Sequence, residues 1–356
     1  MMDSTERVLR AINFQKTDRI PLWHVHHYAG FNERWRKFLG LGENVEPKDY
    51  YGYDTAVFGP DESFFPSEKR LISDEGDYYI ENDGFGRITR RKKDGYFPQI
   101  LQYKLSERNE IDSIEFEKAE IDSRYTELDA FSDKNSHRCR FARTGGLYIR
   151  AHALWPEDKL LMDMLFEPDF CGELFDLVCE HMTAMAVESI KRTGWGTGIW
   201  VYDDMANSLN PMFSPDLFGR YLLPRYKKFI KACENAGCSY FFFHSDGNIS
   251  PLMDMLVEAG FDGFNPLEPR CGLHLPKLRE KYKDIVFFGG VCNTEILQTN
   301  DREKIKEHIE PLIETAKSGG VLLGMASASG DIPPEAYDYY MSLIKDRTLH
   351  DNTASL

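Results

Sequence analysis

The stretch Tyr240-Phe241-Phe242-Phe243-His244-Ser245-Asp246-Gly247-Asn248 decides how the rest of the chain is read. Its apolar run has the length of a buried strand, and it stops in a histidine, a serine and an aspartate before a glycine. Polar residues at the carboxyl end of a strand stand where parallel α/β proteins build their sites. His244 and Asp246 are two apart and share one side of an extended chain, unless the turn at Gly247 redirects them.

The same rhythm extends in both directions. Phe261-Asp262-Gly263-Phe264 reads as a short strand ending at Asn265-Pro266-Leu267-Glu268-Pro269, and Ile285-Val286-Phe287-Phe288 as another ending at Gly289-Gly290. Val321-Leu322-Leu323-Gly324 is the last, followed by a loop of small residues over 325–330. Upstream, Ile199-Trp200-Val201-Tyr202 ends in Asp203-Asp204, repeating the pattern of a strand followed by an acid. Leu147-Tyr148-Ile149-Arg150, Thr55-Ala56-Val57-Phe58 and Leu22-Trp23-His24 complete eight candidate parallel strands.

Helices separate most of these strands. A long one is expected over 168–193, with Phe170, Leu174, Val178, Met182 and Met185 on its core face and Gly194 ending it. Ser214-Pro215 has the capping hydroxyl and first-turn proline of a helix start. Asn300 and Glu303 have capping-box spacing, and Pro311 is expected to bend or divide the helix that follows. Eight strands in this order favour an α/β fold of the closed TIM (β/α)8 type over an open dinucleotide sheet. No G-x-G-x-x-G or Walker A pattern is present. The stretches 3–13 and 32–40 read as additional N-terminal helices. Residues 76–101, punctuated by Asp83-Gly84 and Asp94-Gly95, read as an inserted β-hairpin region. The whole span 1–356 is expected to form a single domain.

Composition narrows the function. A formal charge of -15 repels nucleic-acid phosphates, and the basic cluster Arg87, Arg90, Arg91, Lys92, Lys93 is short enough to be a solvated hairpin face. With 42% hydrophobic and 28% charged residues and no apolar run of about 20, no membrane span is expected. The polar N-terminus carries no signal-peptide core. Seven cysteines, none closely paired, suggest neither a zinc finger nor a disulfide framework, which points to a reducing cytoplasm.

Candidate chemistry lies at the strand ends. His244, Asp246 and Glu268 offer imidazole nitrogen and carboxylate oxygen, a donor set that holds zinc and leaves a position open for substrate oxygen. The structural alternative is that His244 bonds a backbone carbonyl while both acids fix loops. Asp203 and Asp204 are candidates to orient substrate, exchange a proton as a pair of mutually repelling acids, or cap the next segment. The cluster His26-His27-Tyr28 follows the first strand and is either a packed loop or the rim of a cavity. Tyr148, Arg150, Trp200, Tyr202 and Asn265 are further candidates for a substrate pocket, although alternation forbids all the strand residues from facing inward. Cys271 and Cys292 are either thiolate ligands or small buried groups.

Several of these stretches together resemble the uroporphyrinogen decarboxylase superfamily. They are Thr5-Glu6-Arg7-Val8-Leu9, Asp18-Arg19-Ile20-Pro21, Asp203-Asp204-Met205-Ala206, His244-Ser245-Asp246-Gly247-Asn248, Asn265-Pro266-Leu267-Glu268-Pro269, Phe288-Gly289-Gly290 and Asp331-Ile332-Pro333-Pro334. The resemblance spans nearly the whole chain and implies a TIM barrel, with a homodimer as the expected assembly. True uroporphyrinogen decarboxylases need no cofactor and hold substrate carboxylates with an early R-Q-A-G-R motif. The corresponding stretch here is similar to His27-Tyr28-Ala29-Gly30-Phe31, with both arginines replaced. That removes charge-assisted contacts to an anionic porphyrinogen.

The other large branch contains corrinoid-dependent methyltransferases, in which zinc assists and a separate corrinoid protein exchanges the methyl group. The chain looks closer to members that demethylate aryl ethers than to thiol methyltransferases. The latter supply His-x-Cys and a late cysteine, where this chain has Asp246 and Ser327 or Ser329. The resemblance therefore implies zinc at His244 and Glu268, with Asp246, acting on a small methoxylated substrate. Metal-independent decarboxylation and a barrel retained for binding are the alternatives.

Overall fold

The computed structural model describes residues 2–93, 98–194 and 198–345. Its strands, in chain order, are β1 (Leu22–His27), β2 (Thr55–Phe58), β3 (Arg70–Asp74), β4 (Tyr78–Asn82), β5 (Arg87–Lys92), β6 (Gln99–Tyr103), β7 (Cys139–Gly145), β8 (Ile199–Tyr202), β9 (Phe241–His244), β10 (Gly263–Leu267), β11 (Val286–Gly290) and β12 (Val321–Ala328). Eight of them form one parallel sheet in the order β1-β12-β11-β10-β9-β8-β7-β2, surrounded by helices: an α/β TIM barrel.

Alternation explains the two sides of this sheet. Trp23, Phe141, Trp200, Phe242 and Phe288 turn inward from five strands and pack ring against ring, with Trp200 and Phe288 centroids 4.6 Å apart. Val8 and Ile12, from the helix Ser4–Ile12, join this cluster and plug the amino end of the lumen. The intervening residues, such as Val201 and Phe243, join the larger core under the outer helices.

The sheet does not close through a ladder. β1 and β2 are its two ends, and a single buried acid bridges them at the bottom of the seam. Asp54 is 0% exposed, takes the Leu22 N–H at 2.8 Å and gives its own N–H to the Leu22 carbonyl at 3.1 Å. Arg7 at 2.8 Å and Arg19 at 2.7 Å compensate its charge, and Asp18 shares Arg7.

Several sequence expectations change. Leu147-Tyr148-Ile149-Arg150 is not a strand but the first turn of the helix Leu147–Leu154; the strand at this place is β7, eight residues earlier. Two arginines in Cys139–Gly145 break its apolar run, which hid it. The inserted region is larger than a hairpin: β3 to β6 form a four-stranded antiparallel sheet over 70–103. Asp83-Gly84 lies at the β4–β5 turn, while Asp94-Gly95 lies outside the described residues. Asp301, not Asn300, caps the helix Arg302–Ala316, accepting from Glu303 N and Lys304 N, and that helix runs through Pro311 undivided. β12 extends to Ala328 and absorbs most of the expected small-residue loop.

Asp54→Ala leaves the Arg7 guanidinium, 4% exposed, with one carboxylate instead of two and the Leu22 N–H without its acceptor. The expected loss is about 3 kcal/mol or more of unfolding free energy, read from urea denaturation. A loss below about 1 kcal/mol would show that the seam is held elsewhere.

Candidate active site

β8 and β9 run side by side with Tyr202 opposite His244, and the two rings stack with centroids 4.3 Å apart. The chain stays extended past both strand ends: Asp203 N–H donates to the His244 carbonyl at 2.9 Å. Alternation then sends Asp203 outward and Asp204 inward. Asp203 is completely buried and accepts the N–H groups of Tyr148 at 3.1 Å and Ile149 at 2.7 Å and the Tyr226 hydroxyl. It thus caps the helix Leu147–Leu154 from outside that helix's own sequence. Burial pushes its carboxyl up to about 6 against these three donors. Gly146 is obligatory beside it, because a Cβ there would lie 2.2 Å from the Asp203 Cβ.

His244 is 5% exposed and oriented by Asn265, whose Oδ1 lies 2.7 Å from Nδ1. The Asn265 amide is itself fixed, since its Nδ2 donates to the Phe243 carbonyl at 3.0 Å. Oδ1 can only accept, so Nδ1 carries a proton, and in the neutral ring Nε2 presents the lone pair. That lone pair faces Asp204 Oδ1 at 3.8 Å and Asp246 Oδ1 at 3.9 Å. Asp246 N–H donates to Asp204 Oδ1 at 2.9 Å and holds the two acids together. Burial pushes the Asp246 carboxyl up to about 6, aided by Asp204 and Glu268 and opposed by Arg270 and by His244 when its ring is protonated.

One ligand atom from each of Asp204, His244 and Asp246 lies within 4.8 Å of the other two. Three acceptors converging across gaps too long for hydrogen bonds form a place for a cation. One imidazole and two carboxylates are a donor set that would suit zinc. Glu268 is not in this group. It accepts the Gly247 N–H at 2.8 Å and pairs with Arg270 at 3.2 Å, so it shapes the turn carrying Asp246. The third member of the group is Asp204.

The remaining candidates divide. Tyr28 is half-buried at the rim, bonded to Ser327 and close enough to feel the charge of Asp246. His26 is exposed beside it, ring edge to ring face at 4.6 Å. His27 packs against Phe31 and Tyr53, with its Nε2 2.6 Å from the Tyr337 hydroxyl. Trp200 lies in the lumen floor and does not line the mouth. Tyr148 is buried and donates to Glu157 at 2.7 Å; Arg150 pairs with Glu62 at 2.7 Å and stacks on Phe85. Both serve the helix and the inserted sheet. Cys271 and Cys292 are buried thiols outside the cluster.

A cavity of about 390 Å3 opens where β1 and β2 part above Asp54, and Tyr202 forms part of its wall. His24, Lys48 and Arg143 line it too, and sequence reading singled out none of them. Only the register of β7 identifies Arg143, because Arg143 stands opposite Trp200 and so faces inward.

With this geometry in view, comparisons place the chain. The family model described as Uroporphyrinogen decarboxylase (URO-D) matches residues 157–346, more than half of the 356 residues, and the chain belongs to that family. Among solved structures it is similar to a methyltransferase from Methanosarcina mazei, with a TM-score of 0.70 and 15% identity over 97% of this chain and 99% of that one. At that identity the likeness concerns the fold. No curated protein sequence matches. Among the described residues, no helix is long and apolar enough to cross a membrane.

Burial holds His27 neutral down to about 3, and His181 down to about 4, whereas an unfolded imidazole titrates near 6.5. Between those values the unfolded chain binds more protons, so stability rises with pH up to about 6.5 and is lost on acidification. His27→Gln is expected to remove up to about one proton from the slope of unfolding free energy against pH between 4 and 6.5. Urea titrations at a series of pH values read this slope; an unaltered one would show that His27 titrates normally in the folded chain.

Proposed function

We propose that the chain is a methyltransferase that takes the methyl group of a small methoxylated substrate, with zinc held by Asp204, His244 and Asp246 and a corrinoid on a separate protein as acceptor. One observation carries this reading: His244 Nε2 and one carboxylate oxygen each from Asp204 and Asp246 lie within 4.8 Å of one another. The early arginine pair that would hold a porphyrinogen is absent. The family and the methyltransferase fold likeness agree with the reading without specifying it.

Bound zinc would supply Lewis-acid polarisation of an ether or phenolate oxygen. The chain supplies the rest. Asn265 holds Nδ1 and Tyr202 stacks on the ring, so Nε2 has one direction. Asp203 is removed from acid–base work, since its oxygens are taken by two backbone N–H groups and Tyr226. Tyr28 stands at the rim with its hydroxyl proton retained, its pKa raised by burial, and is the donor to the departing oxygen. In the transfer, the carbon–oxygen bond breaks with its electron pair on oxygen, and the acceptor's pair forms the new bond to the methyl carbon.

Metal analysis of gently purified protein is expected to find about one zinc per chain. His244→Ala is expected to lose it, and Asn265→Ala to bind it roughly 10- to 100-fold more weakly. Transfer to cob(I)alamin, followed by its visible spectrum, should fall in the same order. Metal-independent release of carbon dioxide from uroporphyrinogen at a normal enzymatic rate would overturn the reading.

A further inference from the structure

The His244 site leaves two buried polar atoms unexplained, and both line the seam cavity. His24 Nδ1 and Asn32 Oδ1 are buried there without a hydrogen-bond partner. Native proteins rarely leave such atoms unsatisfied. His24 Nδ1, when it carries the ring proton, can donate to an acceptor in the cavity, whereas Asn32 Oδ1 asks for a donor, which a carboxylate does not supply. Two cations face the same space. Arg143 and Lys48 make no ion pair with any described residue, and the Arg143 guanidinium lies 5.8 Å from the centre of the Tyr202 ring.

Two cations and one acid line the cavity although the chain carries a net charge of -15. Burial, then the charges of Lys134 and Arg138, lower the Lys48 pKa. The one acid on this wall, Glu46, is already paired with Arg36 at 3.5 Å. Lys48 is half-buried, its ammonium only partly offset by Asp49 and Glu46, and Arg143 is exposed on the cavity wall, so a bound anion would gain charge-assisted bonds from both.

We propose that the seam cavity binds the carboxylate of a small organic acid, so that the molecule presented to the His244 site is an anion. That it is a methoxylated acid rests on the methyl-transfer reading above. A guanidinium meets a carboxylate through two parallel hydrogen bonds, and the Lys48 ammonium adds a third donor. Val25, Val57 and Phe131 also line the cavity and suit a hydrocarbon body, which inorganic phosphate lacks. The volume of about 390 Å3 lies within the range of small-molecule sites. Tyr202 joins the two regions, one ring face stacked on His244 and its side chain in the cavity wall. Cations from β7 and from the short helix Pro47–Tyr50 thus stand in for the arginines missing after β1.

Calorimetric titration of the full chain with 4-methoxybenzoate, benzoate and methoxybenzene tests this. Both acids are expected to bind, and methoxybenzene to bind roughly 10- to 100-fold more weakly. Arg143→Gln and Lys48→Gln should each weaken both acids by a similar factor and leave methoxybenzene unchanged, while Arg143→Lys recovers part of the loss. Melting curves confirm that each variant is folded. Acids that fail to bind, or that bind both glutamine variants as well as the parent, overturn the proposal. Benzoate has no methyl group to give, so its binding reads the cavity alone. Benzoate binding through Arg143 without methyl transfer would keep the cavity and sink the methyltransferase reading; methyl transfer from methoxybenzene with no acid binding would do the reverse.

Discussion

A strand sends only every second side chain into a barrel, and β8 and β9 obey that rule in register. Trp200 beside Phe242 makes the lumen floor, and Tyr202 beside His244 makes the layer above it. Asp204 and Asp246 then follow at the rim. The candidate site is therefore the top layer of a packed stack, and the aromatic layer beneath it keeps its floor dry. A one-residue slip of β8 against β9 would exchange Asp204 for Asp203 and dismantle the cluster. Adjacent acids of the same type have opposite fates for this reason alone.

Asp203 shows what the outward position is used for. Its carboxylate takes the first N–H groups of the helix Leu147–Leu154, which has no side-chain cap of its own at Gly146. The acid that looked catalytic ties β8 to the segment after β7 and fixes the rim on that side. Asn265 plays a comparable part on the other side, linking β10 to the His244 ring and the β9 backbone. Neighbouring strands brace each flank of the site, and this matters because metal and substrate groups need to be held to a fraction of an ångström.

How much of this was legible in the sequence follows from the same alternation. Apolar runs located β8 to β12, because both faces of those strands are buried, although β10 begins two residues later than expected and runs on to Leu267, and β12 runs on to Ala328. β7 escaped because it lines the open seam, where Arg143 faces the cavity and Arg140 reaches Ser132. With its strand misplaced by eight residues, Tyr148 and Arg150 looked like pocket residues, and Arg143 was passed over. Glu268 sits at the end of a strand next to β9, so spacing alone offered it as a ligand. Only the hydrogen bond to Gly247 and the Arg270 pair reveal that its oxygens are engaged.

The open seam and the acid cluster also bear on each other energetically. Asp204, Asp246 and Glu268 lie within interaction range at one rim of the mouth, and Arg143 and Lys48 face the cavity on the side where β1 and β2 part. A β1–β2 ladder would close that gap, but β1 and β2 are the two ends of the sheet. Instead Asp54 holds the bottom of the seam with a charge network that needs no ladder, and the top is left free to carry unpaired donors. Hard oxygen and nitrogen acceptors on one side and cations on the other define a mouth polarised across its width. An anionic ether spanning that gap would direct its carboxylate toward the seam and its ether oxygen toward His244, an orientation fixed by charge before any shape contact is made.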